Sequence, residues 1–294
     1  MDYLAIIIIT LISGVIGTGL GGAVGAILRR ESNKIVSLLL SFAGGIMLAV
    51  VCFDLMNQPV EMMKEGTLPS YTPVIVVLAA AIGYAVVYIL NHVIDKHANK
   101  EVKHIDKNHP TTADDLDELI HADHFESHKE GASNSRSNLF IAGLVMMIAI
   151  ALHNLPEGMV IGASYAMEED LTANLFSSTG FIMAIVIGLH NVPEGMAVSV
   201  PLISGGMGKV KAVLLTALSG LPTVFGALLG YALGGISPVM LVLSLGFASG
   251  AMLYVVFGEL LPESILMWKS KLPAVSVFIG VPVSYTHLPQ PTNS

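Results

Sequence analysis

Long apolar runs recur along this chain, and they leave few folds open to it. A helix needs roughly 20 apolar residues to cross the hydrocarbon core of a bilayer, with every backbone hydrogen bond made internally. Seven runs of about that length occur, at 3–28, 35–57, 73–94, 139–166, 176–203, 210–233 and 237–261, and another begins at 272. Composition agrees, with 53% hydrophobic and only 12% charged residues, too apolar for an ordinary soluble domain. The expected fold is therefore all-α, a polytopic membrane protein whose first partner is the lipid bilayer. The first run lacks a basic leader and a small-residue cleavage site, so it reads as a retained span and not a signal peptide. Cys52 is the single cysteine, which excludes an internal disulfide framework. The net charge of −8 is spread over loops, and nothing suggests a nucleic-acid partner.

Lys and Arg accumulate on the cytoplasmic side of membrane proteins. All but one of the 14 basic residues fall in one alternating set of loops, at Arg29, Arg30 and Lys34, from Lys96 to Arg136, at Lys209 and Lys211, and at Lys269 and Lys271. Lys64 alone lies in the other set. That bias places the N-terminus outside, and an even number of spans would return the C-terminus to the same side.

Inside two of these runs sits one repeated pattern. His153-Asn154-Leu155-Pro156-Glu157-Gly158-Met159 recurs as His190-Asn191-Val192-Pro193-Glu194-Gly195-Met196. On a helix, His153 and Glu157 share a face at i and i+4, as do His190 and Glu194. Ionisable groups are costly at membrane depth and mark functional sites. Pro156 and Pro193 free the carbonyls of Leu152 and Leu189, and Gly158 and Gly195 allow close helix contact. Asn154 and Asn191 supply weak oxygen ligands or hydrogen bonds that orient the others. Imidazole with carboxylate suits zinc, iron(II), manganese, cobalt or cadmium better than magnesium or calcium. Glu157 and Glu194 can exchange protons as metal arrives and leaves. The His-Glu-x-x-His of an intramembrane metalloprotease is absent, so the chain reads as a non-enzyme. The expected function is movement of a divalent transition metal as cargo, zinc first, with no resident cofactor.

Other features surround this pattern. The run 42–55 lines up with 247–260, placing Asp54 opposite Glu259 as pathway candidates. With 139–166 matched to 176–203, this reads as a palindromic order of inverted repeats, which in transporters places the site at the repeat interface near the midplane. The polar segment between the third and fourth runs carries many histidines and the acidic cluster Asp114, Asp115, Asp117 and Glu118. It reads as a mostly disordered loop in which His121, His124 and His128 are metal-binding candidates. A membrane metal sensor or storage protein using that loop is the alternative reading. The glycine-rich first span points to tight packing and permits a homodimer. The last run gives way near Pro282, so the eighth span reads as truncated and residues 285–294 as a non-native tail.

The His-Asn-x-Pro-Glu-Gly pair resembles the ZIP (Zrt/Irt-like protein) family of divalent metal transporters, in particular its bacterial GufA-type branch. The resemblance covers nearly the whole chain. It implies an eight-helix 3+2+3 bundle with inverted repeats, in a bacterial cytoplasmic membrane, passing metal inward. Residues 1–94 would hold helices 1–3, 95–138 a cytoplasmic loop, and 139–284 helices 4–8. The implied metal ligands are His153, Asn154, Glu157, His190, Asn191 and Glu194, with Met47 lining the site. The chain departs from the family where an acidic residue often follows a Ser-Gly-Leu run. Here Ser219-Gly220-Leu221-Pro222 leads to Thr223, which predicts one well-occupied ion and a weak or absent second.

Overall fold

The computed structural model describes residues 2–27, 33–98, 132–167, 175–176 and 178–287. Among these the regular structure is helical, without a strand. The helices are α1 (Tyr3–Ile27), α2 (Lys34–Lys64), α3 (Thr72–Ala98), α4 (Ala132–Ala166), α5 (Thr179–Ser204), α6 (Lys209–Gly234), α7 (Pro238–Ile265) and α8 (Leu272–His287). Among the described residues, 7 helices are long and apolar enough to cross a membrane. The last, α8, has 16 residues, short of the roughly 20 a perpendicular span uses. It nevertheless runs through Pro282 to His287, although the proline leaves the Phe278 carbonyl without its usual donor. At both ends the helices enter the segment expected to be loop: α3 continues to Ala98 and α4 begins at Ala132. His121, His124, His128 and the acidic cluster beside them lie outside the described residues.

Local chemistry sets several helix ends. The Ser178 hydroxyl accepts from the Phe181 amide at 3.2 Å and caps α5; Ser237 caps α7 in the same way through Met240. Pro238 then occupies the first turn of α7, where its missing N–H costs nothing. Within α6, the helix steps at Gly220 and Leu221 and restarts at Pro222.

Helix pairing shows how the repeats relate. In one half α1 lies on α5 and α2 on α8; in the other, α6 lies on α4 and α7 on α3; α4 and α5 pack together between the halves. The relation is therefore α1 with α6, α2 with α7, α3 with α8, and α4 with α5. This is the order-preserving 3+2+3 arrangement. It corrects the palindromic order, which would have matched α1 with α8 and α3 with α6.

Register makes the correspondence residue by residue. A Cβ on Gly195 would strike the Thr18 carbonyl, and one on Gly158 would strike the Thr223 carbonyl. Likewise Gly45 sits on the Val277 carbonyl and Gly250 on that of Ala80. The interval from Thr18 to Thr223 equals that from Gly45 to Gly250. Helix irregularities follow the same interval. The π-helical turn Val50–Leu55 of α2 matches Val255–Leu260 of α7, and the π-helical turn Leu11–Ile16 of α1 matches the stretch that includes the step in α6. In lipid, apolar burial gives helices little reason to associate, so close backbone contact through small residues carries much of the packing.

The largest buried cluster is central. It joins Met159, Val160 and Ala163 of α4 and Met183, Ile187 and Met196 of α5 to Met47 and Val51 of α2 and Met252 and Val256 of α7. The pattern-bearing faces of α4 and α5 are thus covered by the other elements, and their polar residues are shielded from the outer surface.

Candidate metal centre

All six polar residues of the repeated pattern are buried. His153 is 2% exposed, His190 1%, and Asn154, Glu157, Asn191 and Glu194 are 0%. Both helices carry them without interruption past Pro156 and Pro193. The i and i+4 spacing therefore turns each His–Glu pair inward, as the helical period requires.

The structure brings Glu157, His190 and Glu194 together, each offering one donor atom within 4.8 Å of the others. His190 Nε2 hydrogen-bonds Glu157 Oε1 at 3.0 Å, which links α5 to α4. Glu157 Oε2 and both oxygens of Glu194 are buried without a hydrogen-bond partner. Unpartnered carboxylate oxygens in a low-dielectric interior are costly. A dication would offset that cost. No Lys or Arg is buried among the described residues to do so instead.

His153 is placed differently. Its Nε2 lies 2.7 Å from Glu259 Oε2 on α7. Its Nδ1 and Glu259 Oε1 are buried and unpartnered. A carboxylate on the far nitrogen of a ligating histidine fixes its tautomer and raises its basicity. Asp54 is not part of this cluster. One of its oxygens accepts from Gln58 Nε2 at 3.0 Å within α2, and the other is buried without a partner. Met47 is fully buried in the same central cluster as Met159 and Met196.

The asparagines also differ from one another. Asn154 Nδ2 donates to the Ile150 carbonyl at 2.9 Å and to the Ser219 carbonyl at 3.0 Å, and its Oδ1 accepts from the Thr223 hydroxyl at 3.1 Å. Asn191 Nδ2 donates to the Ser13 carbonyl at 3.1 Å, while its Oδ1 is buried and unpartnered. The accepting carbonyls on the neighbouring helices, those of Ser13 and Ser219, lie where those helices lose their regular ladder, in the π-helical turn of α1 and at the step in α6. The reading of the residues did not anticipate these carbonyls. A π-helical turn changes the register of the backbone without altering the apolar pattern, so composition gives no sign of it. The step in α6 did have a signal, the Gly220-Leu221-Pro222 sequence.

Comparison with known proteins shows what the chain is similar to. The family described as ZIP Zinc transporter matches residues 3–284. A protein named Zinc transporter ZupT from Chlorobium chlorochromatii (strain CaD3) is 31% identical over 258 residues, covering 87% of this chain and 86% of that protein. A second ZupT, from Nitratidesulfovibrio vulgaris, is 30% identical over 277 residues, 94% of this chain and 92% of its own length. A third, from Clostridium perfringens, is 28% identical over 267 residues, 90% and 87% respectively.

Proposed function

The chain belongs to the ZIP zinc-transporter family, and from that premise we propose that it carries divalent transition metals, zinc first, across the bilayer into the cytoplasm through a site between α4 and α5. Iron(II), manganese and cadmium fit the same donor chemistry. The observation that carries the reading is the buried cluster of Glu157, His190 and Glu194, drawn from two helices and rich in unsatisfied oxygen. Asn191 Oδ1 is the amide donor best placed to join it, since nothing else engages that atom. His153 would enter as a ligand oriented by Glu259. Asn154 would support the site from behind, because its amide is already bonded on both sides.

The arrangement suits passage more than storage. A transported ion must be held well enough to shed water and loosely enough to leave. Carboxylate, imidazole and amide donors without a thiolate meet that requirement. The distribution of Lys and Arg supports an outside N-terminus, an orientation in which Asp54 would stand toward the outer end of α2 and Glu259 toward the inner end of α7. These acids would then flank the site along the inward path.

Proteoliposomes loaded with a metal-sensitive dye test this directly. The wild-type chain should take up zinc, and Glu157→Ala should reconstitute equally well but take up none. Equal zinc entry through both proteins would rule the site out.

A further inference from the structure

The two asparagines of the repeated pattern occupy equivalent positions, yet only one has a free oxygen. The cause lies on the flanking helices. Thr223 on α6 and Thr18 on α1 correspond through the repeat: each presents its carbonyl to the pattern glycine of the neighbouring helix, Gly158 or Gly195. Both threonines are fully buried. Their hydroxyls go to different places. Thr18 donates to the Gly14 carbonyl of its own helix at 2.8 Å, the ordinary back-bond of a threonine inside a continuous helix. Thr223 follows the step at Gly220 and Leu221 and stands in the first turn after Pro222. The step turns the Thr223 amide to the Gly220 carbonyl at 3.3 Å, and the Ser219 carbonyl one turn earlier accepts from Asn154 instead. Without a back-bond, the Thr223 hydroxyl donates sideways to Asn154 Oδ1. Both amide hydrogens of Asn154 and one lone pair of its oxygen are then engaged, which fixes the amide with its oxygen turned toward α6.

We propose that Thr223 is a positioning residue that withholds the Asn154 oxygen from the metal, so that the centre takes one dication with Asn191 as its amide donor. The inference rests on the reading that the ion sits between α4 and α5. Oxygen donors favour hard ions such as manganese, whereas imidazole favours zinc. Removing one oxygen from reach therefore tilts the site toward zinc, and it leaves the α6 side, where Thr223 carries no charge, without a donor for a second ion.

The test is calorimetric titration of the purified, metal-free full-length chain with zinc and with manganese. Wild type should bind one zinc per chain, and Thr223→Ser, which keeps the hydroxyl, should match it. Thr223→Val removes the hydroxyl at nearly constant shape. It should strengthen manganese relative to zinc by about tenfold, within the range that outer-shell changes produce, and admit a second ion at high metal. Asn191→Ala should weaken the first zinc by about tenfold or more. A Thr223→Val protein with the wild-type zinc-to-manganese ratio and stoichiometry would overturn the role of Thr223. So would two zinc ions in the wild type or a Thr223→Ser protein unlike it, results that stand even if the valine variant does not fold. Wild-type protein that binds no dication at all would instead remove the site between α4 and α5.

Discussion

Helices α4 and α5 carry the same seven-residue pattern, but their surroundings set the two copies to different tasks. On α5, His190 reaches across to Glu157 and joins the carboxylate cluster. On α4, His153 turns to Glu259 of α7. Strict repeat symmetry would have given His190 a matching contact with Asp54 of α2, but Asp54 accepts from Gln58 in its own helix. The amides divide in the same way, Asn154 held on both sides and Asn191 with its oxygen free. The repeat thus supplies two sets of donors, and the flanking helices decide which atoms remain available. A transporter built from inverted repeats can hold its halves in unlike arrangements in any single state.

Substitutions on each side show how far the two copies differ. Glu157→Ala should have the largest effect, because Glu157 bonds His190 and faces Glu194. Zinc affinity should fall by more than the roughly 100-fold that loss of an orienting partner can cause, and uptake should vanish in the dye assay. Next come the two glycines that let carbonyls approach. Gly158→Ala and Gly195→Ala should each destabilise the protein by about 1–3 kcal/mol through overpacking, read as similar drops in thermal midpoint in detergent. Markedly unequal drops would contradict the register that relates the halves.

Glu259→Gln should act more mildly. It keeps the shape but removes the carboxylate that orients His153, so zinc affinity should fall by about tenfold, while Asp54→Asn should change it less. A larger loss from Asp54→Asn would reverse the assignment of the halves. The smallest effect is expected from deleting residues 100–131, which carry His121, His124 and His128. Basal zinc flux should persist in a transporter, and its loss would favour the sensing or storage reading of that loop.

Much of this architecture could be read from residues alone. The apolar runs are long and separated by charged loops, so the membrane-length helices followed from their hydropathy. The repeated His-Asn-x-Pro-Glu-Gly pattern named the buried polar residues, because helical spacing turns each His–Glu pair to one side. The pairing of Asp54 with Glu259 gave the correct relation of α2 to α7. The wider repeat order did not follow, because α1 and α3 resemble α6 and α8 through small residues spaced for backbone contact and not through a distinctive string. Hydroxyl directions were also beyond reach. Thr223 and Thr18 are the same residue type in equivalent places, and only the step at Gly220 and Leu221 makes their partners differ.

Zinc-edge X-ray absorption on the zinc-loaded chain, with His153→Ala, His190→Ala and Glu157→Ala alongside, tests the central claim most directly. The expected result is a first shell of nitrogen and oxygen at about 2.0–2.2 Å with an imidazole signature, and loss of the bound zinc when Glu157 of α4 or His190 of α5 is removed. Zinc that keeps the same first shell and affinity in both of those variants would show that the ion is not held between the two helices.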